Sequence, residues 1–311
     1  MLSVSVVLSA VMLLMTAAED QIAIVGINNK DGQMYSPTNG GSIKNDNFGF
    51  DKSVFWPSVT SCACKVYMSG GQRRLGIDEV TEHDLASGQT RLIGRLTKPR
   101  NSHMSACQGN YLYVCGGLMD NSCERCDVTT GQCSHLTDLA STMESTGTMI
   151  IANGRLYVFG FYSLWGAQFS FAYNIAQNSW SQLAPFKVYA HKYPGLVLAK
   201  QSPPTLLLCG GAAQDFDTPF CQYYDINANQ WTDAPPMSHI RESFSMLMMD
   251  GLVWAVAGNW GGPQPKQTKL VELTNTSESG WKFLGQQLAA GTEYGHTAFV
   301  FLQSCMSEHA L

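Results

Sequence analysis

The chain has 311 residues, with 19 Lys+Arg against 24 Asp+Glu, a formal net charge of −5 and only 14% charged residues, where a soluble domain averages roughly 25%. An aromatic content of 11% excludes a disordered chain, and a mildly acidic balance without a Lys/Arg cluster excludes an ordinary nucleic-acid binder. The length admits two domains, or one all-β unit of above roughly 200 residues.

Residues 2–15 are almost wholly apolar, and the small residues Thr16, Ala17 and Ala18 follow before Glu19-Asp20. This is the shape of a secretory signal cleaved after Ala18. The apolar run is shorter than the ~20 residues a membrane span needs. The expectation is a signal peptide over 1–18 and a secreted, extracellular protein without membrane attachment after cleavage, with an uncleaved anchor as the alternative.

Six short strands that end in glycine come next, at residues 22–26, 66–71, 112–117, 156–160, 206–211 and 253–258. Their first glycines stand at 26, 70, 116, 160, 210 and 258, so the spacing runs from 44 to 50 residues. Each unit carries a second strand ending near an acid or amide, as in Glu82-His83-Asp84, Arg125-Cys126-Asp127, Tyr173-Asn174 and Tyr224-Asp225. A tryptophan follows in the last three units (Trp180, Trp231, Trp281), and its place is assigned to Phe48, Arg91 and Cys133 in the first three. An apolar strand then leads to the next glycine pair, through Asn153-Gly154 or Asp250-Gly251 in two units, dipeptides that suit tight hairpins. A period of this length is that of a four-stranded propeller blade. The recurring tryptophans and tyrosines read as filler between twisted blades rather than as a ligand cage.

The Gly-Gly, Tyr-acid and Asn-x-Trp landmarks resemble the kelch repeat over about residues 21–302. They are clearest in units three and five and weakest in unit one, where Gly26-Ile27 and Phe48 replace Gly-Gly and Trp. The resemblance implies a β-propeller with one blade per repeat. The expected fold is therefore an all-β, six-bladed β-propeller of kelch type over 19–303, with a short tail at 304–311. Residues 295–302 have no later partner and are expected to pair beside 22–27, which closes the ring and removes two open sheet edges.

Ten cysteines in an oxidising route read as disulfides. Aligning unit three on unit five superposes Cys115 on Cys209 and Cys123 on Cys221, which suggests the bridges Cys115–Cys123 and Cys209–Cys221. Cys126 and Cys133 would brace the third and fourth strands of blade three, where the tryptophan is missing. The pairing of Cys62, Cys64, Cys107 and Cys305 stays open. The rival is zinc held by Cys123, Cys126, Cys133 and His135. Secretion and the repeated pairing favour bridges, and no metal or cofactor is expected. Asn275-Thr276-Ser277 is a glycosylation sequon.

None of the common catalytic strings occurs. The loops after the glycines and the loops leading into the innermost strands share one face at the mouth of the central channel. The first set carries Arg73, Arg74, Phe161, Tyr162, Trp165, Phe216 and Trp260, and the second Arg100, His103, Tyr189, His191 and Arg241. Aromatics interleaved with arginine suit recognition of an extracellular protein or glycan. Arg100 and Arg241 also have a structural reading, as arginines that hold blades together. The expected function is non-catalytic binding through this face. A sugar-processing enzyme, similar to kelch-type epimerases, would instead require His or a carboxylate together with Arg in a channel-mouth pocket. A cross-linked extracellular structural component would require an exposed unpaired cysteine, with Cys305 the candidate.

Overall fold

Runs of β-branched and aromatic residues, punctuated by Gly, Asn and Asp, form strands throughout the computed structural model. The structure describes residues 21–25, 33–36, 41–44, 54, 56–62, 64–72, 76–140, 147–162, 167–187, 193–212, 218–260, 266–267, 270–275, 280–287 and 297–301. Sheet one contains β1 (Gln21–Val25), β2 (Gln33–Ser36) and β3 (Gly41–Lys44). Sheet two is β4 (Ser58–Cys62), β5 (Lys65–Ser69), β6 (Glu79–Asp84) and β7 (Thr90–Arg95). Sheet three is β8 (Met104–Gln108), β9 (Tyr111–Gly117), β10 (Asp120–Asp127) and β11 (Cys133–Leu136). Sheet four is β12 (Thr148–Ala152), β13 (Arg155–Tyr162), β14 (Ala167–Asn174) and β15 (Ser179–Gln182). Sheet five is β16 (Gly195–Gln201), β17 (Pro204–Cys209), β18 (Cys221–Asp225) and β19 (Gln230–Ala234). Sheet six begins with β20 (Ser245–Met249) and β21 (Leu252–Val256) and, after the small ribbon β22 (Asn259–Trp260) with β23 (Lys266–Gln267), ends with β24 (Leu270–Thr274) and β25 (Lys282–Gln287).

Sheets two to six each use one stretch of chain, whereas sheet one joins two distant stretches. Its inner strand is β26 (Thr297–Phe301), antiparallel to β1 with Ile22 opposite Val300 and Ile24 opposite Ala298. This is the pairing expected from residues 295–302. The inner strands neighbour one another in the order β4, β8, β12, β16, β20, β26, and β26 adjoins β4. The fold is an all-β β-propeller.

The core lies between sheets. Second strands are buried along almost their whole length, as in β9 and β17, because both of their faces meet neighbours, while fourth strands such as β19 remain largely exposed. Tyr157 and Phe159 of sheet four cluster with Leu206, Leu208 and Tyr224 of sheet five. Leu207 and Cys209 cluster in turn with Val253 and Ala255 of sheet six. Tyr35 of sheet one meets Trp254 of sheet six edge-on at 6.2 Å.

One position opposite the end of the third strand varies in its chemistry. Tyr173 faces Trp180 and Tyr224 faces Trp231, their ring centroids 5.0 and 4.9 Å apart. In sheet three the same position is the bridge Cys126–Cys133. In sheet two it is His83 with Thr90, joined by a 2.8 Å hydrogen bond. This corrects the assignment of Arg91 to the tryptophan place. Thr90 stands six positions after Asp84, as Trp180 stands six after Asn174, and Arg91 lies opposite Glu82, with which it forms an ion pair.

The tryptophans also reach outside their own sheet. Trp180 Nε1 donates to Thr137 O, Trp231 Nε1 to Ala184 O and Trp281 Nε1 to Pro235 O, each acceptor lying just after the fourth strand of the preceding sheet. Asn178 and Asn229 take left-handed turn positions at φ 50° and 52°. Their Oδ1 atoms accept from the tyrosine hydroxyl in the same sheet and from the Thr137 or Ala184 amide of the preceding one.

The bridges Cys115–Cys123, Cys126–Cys133 and Cys209–Cys221 form as expected. Cys62–Cys107, left open by the sequence, joins the inner strands of sheets two and three, and Cys64 is also disulfide-bonded. Cys305 and the segments 1–18 and 304–311 lie outside the described residues. Among the described residues, no helix is long and apolar enough to cross a membrane.

Candidate functional site

Four inner strands are preceded, two residues upstream, by a non-glycine residue in left-handed backbone: Trp56, Ser102, Tyr193 and Ser243, with φ of 52°, 54°, 55° and 51°. Such residues are uncommon outside Asn and Asp, and the conformation carries strain. Backbone hydrogen bonds join these lead-in turns in pairs, Ser102 N to Trp56 O at 2.8 Å and Ser243 N to Tyr193 O at 3.0 Å. Trp56 and Tyr193 are nonetheless 52% and 37% exposed.

Arg100 and Arg241 belong to the frame. Arg100 is buried, and its guanidinium donates to Gly116 O, Ser122 O, Ser122 Oγ and, at 2.6 Å, Glu124 Oε1. Arg241 is fully buried and donates to Ala257 O at 2.6 Å and Glu272 Oε1 at 2.7 Å. Burial alone would raise the Glu272 pKa. The charge and hydrogen bonds of Arg241, with the Ser238 amide, outweigh burial and hold it below the ordinary range. The placement of these two arginines on a binding face is therefore corrected: each ties a lead-in turn to the third strand of its own sheet, because a buried guanidinium requires internal partners.

His103 stands between the Arg100 frame and the channel. Its Nε2 shares a 2.9 Å hydrogen bond with Ser69 Oγ, and its Nδ1 is buried without a partner. Burial, reinforced by the Arg100 charge, pushes its pKa down to about 3, so the imidazole is neutral at physiological pH.

A cavity of about 440 Å³ opens between the inner strands and is lined from β4, β8, β12, β16 and β20 and their lead-in turns. Ser58, Thr60, Ser61, Ser105, Thr148 and Ser245 supply hydroxyl groups, and Ser58 Oγ and Ser105 Oγ share a 2.7 Å hydrogen bond. His103 is also in the wall, and no Lys, Arg, Asp or Glu is among its described lining residues. Among the described residues, the lining does not bring Arg together with His or a carboxylate, the pairing the enzyme alternative requires. A histidine with a pKa near 3 is also a poor match for proton transfer at neutral pH. What the wall offers is uncharged donors and acceptors.

The remaining expected contacts are only partly in view. Phe161 and Tyr162 end β13 and Trp260 lies in β22, while Arg73, Arg74, Trp165, Tyr189, His191 and Phe216 lie outside the described residues. Asn275 directly follows β24 and is partly buried. The suggested zinc ligands Cys123, Cys126 and Cys133 are all in bridges, so none of the three offers a thiolate. The sequence reading did not single out Trp56, Tyr193 or the serine and threonine lining. A signal was present: Trp56-Pro57 and Tyr193-Pro194 match, as do Arg100-x-Ser102 and Arg241-x-Ser243.

No family model matches the chain. Kelch-like protein 41a of Danio rerio is 31% identical over 88 residues, 28% of this chain and 14% of that protein. An F-box/kelch-repeat protein of Arabidopsis thaliana is 26% identical over 110 residues, 35% of this chain and 27% of that protein. The chain thus spans well under half the length of these curated relatives. The solved structure of YjhT superposes with a TM-score of 0.65 at 14% identity, covering 80% of this chain and 88% of that one, which is a likeness of fold. The 44- to 50-residue period, the sheets and these similarities together support a kelch-repeat β-propeller.

Proposed function

We propose that this chain is a secreted, six-bladed kelch propeller that binds an extracellular protein or glycan through its loop face, without catalysis. The observation that carries the reading is the channel mouth, where the exposed rings of Trp56 and Tyr193 lie within two residues of the lining of a cavity whose described residues are uncharged. Six four-stranded sheets support the blade count, with the last strand seated beside the first. The four described bridges are compatible with an oxidising compartment, and the apolar segment 2–15 and the sequon at Asn275 fit the same route. The loop residues Trp165, Trp260, Phe161, Tyr162, Phe216, Tyr189, His191, Arg73 and Arg74 form the proposed contact set.

The test is a screen of the purified secreted protein against a glycan array and a panel of extracellular proteins, with Trp165→Ala and Trp260→Ala beside it. Binding that falls in both variants supports the loop face. Full binding by both variants overturns it.

A further inference from the structure

The cavity has a more specific chemistry than a generic binding face. At about 440 Å³ it falls within the range of roughly 300–1,000 Å³ typical of small-ligand sites. Six of its lining residues carry hydroxyl groups, each able to donate and to accept. Met149, Leu196 and Leu247 add apolar wall between them. A ligand matched to such a wall has hydroxyl groups around its edge, C–H faces and no net charge.

His103 supplies the second observation. The residue is 7% exposed, lines the cavity, and has one ring nitrogen satisfied by Ser69 while Nδ1 has no protein partner. A buried polar atom without a partner is rare and costly, and a ligand hydroxyl would satisfy it. The third observation is the rim. Trp56 and Tyr193 hold left-handed backbone, remain exposed, and each lies within two residues of a lining residue, Ser58 and Pro194. Exposed rings at the mouth of a hydroxyl-lined cavity provide flat apolar surface for the C–H face of a sugar, beside polar groups for its edge.

We propose that the channel-mouth cavity binds one neutral pyranose unit, with His103 Nδ1 and the serine and threonine hydroxyls bonding its edge and Trp56 and Tyr193 flanking its point of access. This rests on the glycan arm of the function proposed above and moves the contact from the loops into the channel. Acidic sugars are disfavoured, since no cationic side chain is among the described lining residues to offset the desolvation of a carboxylate.

The experiment uses the full secreted protein and titrates it, by calorimetry or saturation-transfer NMR, with the methyl glycosides of glucose, galactose, mannose and N-acetylglucosamine, and with glucuronic acid. At least one methyl glycoside is expected to bind, with glucuronic acid at least about tenfold weaker. Ser105→Leu, which fills the cavity, and His103→Gln are each expected to weaken that glycoside about tenfold or more, with Ser105→Leu still folded by circular dichroism. Absence of binding by every methyl glycoside, equal binding of glucuronic acid, or wild-type affinity in folded Ser105→Leu overturns the proposal. Array binding that survives Ser105→Leu but disappears in Trp165→Ala and Trp260→Ala overturns the cavity and leaves the loop face standing. The converse pattern overturns the loop face alone.

Discussion

Sheets three and four solve the same junction problem with different chemistry. Sheet four uses a tryptophan: Trp180 stacks on Tyr173 within the sheet and donates its indole N–H to Thr137 of sheet three. Asn178 at the turn bonds both sheets as well. Sheet three has Cys133 at the tryptophan position and Gly131 at the asparagine position, so neither contact toward sheet two is available. The disulfide Cys62–Cys107 spans that junction instead. The backbones also close the gap left by the ring. A Cβ on Gly131 would lie 2.0 Å from Ile93 O, and one on Gly94 would lie 2.5 Å from Gly131 O. Where one junction relies on ring packing and amide hydrogen bonds, the other relies on a covalent link and close backbone approach.

That contrast can be broken at three points. The largest effect is expected from the double change Cys62→Ala with Cys107→Ala, at about 2–4 kcal/mol. Chemical denaturation of oxidised protein measures it, and a loss no larger than that of an exposed control pair would mean the link is incidental. Gly131→Ala comes next, at about 2–3 kcal/mol, since φ is +72° and Ile93 O blocks the methyl. Gly154→Ala is its control: φ is +70° but nothing lies within 4 Å, so only the conformational cost of about 1 kcal/mol remains. Equal losses in the two variants would refute the close approach. The smallest effect belongs to Trp180→Phe, which keeps a ring and removes the indole donor, at about 1 kcal/mol. The same change at Trp231 should match it, because Ala184 O is met in the same way.

Much of this frame was legible in the sequence because the repeat period and the alternation of strands come from local residues. The glycine-ended strands, three of the bridges and the pairing of the chain's two outlying strands all followed from aligning units on one another. Cys62–Cys107 follows the same logic, since its separation of 45 residues is one repeat, but it links neighbouring units rather than strands within one. Thr90 rather than Arg91 holds the tryptophan place because the turn length decides the register. The candidate site was less legible. Arg100 and Arg241 admit both readings, contact or frame, and the burial of each arginine with its glutamate partner decides for the frame. The cavity wall is assembled from five strands far apart in sequence, and serine and threonine carry no spacing that marks them for it.

The lead-in turns have a consequence for the shape of the mouth. Trp56 and Tyr193 introduce sheets two and five, while the buried pairs Arg100–Glu124 and Arg241–Glu272 lie in sheets three and six. Among the described residues, like features thus recur every third sheet around the channel. The two described ring-bearing positions of the rim, Trp56 and Tyr193, accordingly stand three sheets apart. A partner that is itself symmetric, or a chain that crosses the opening from one aromatic to the other, would meet the same chemistry at both ends.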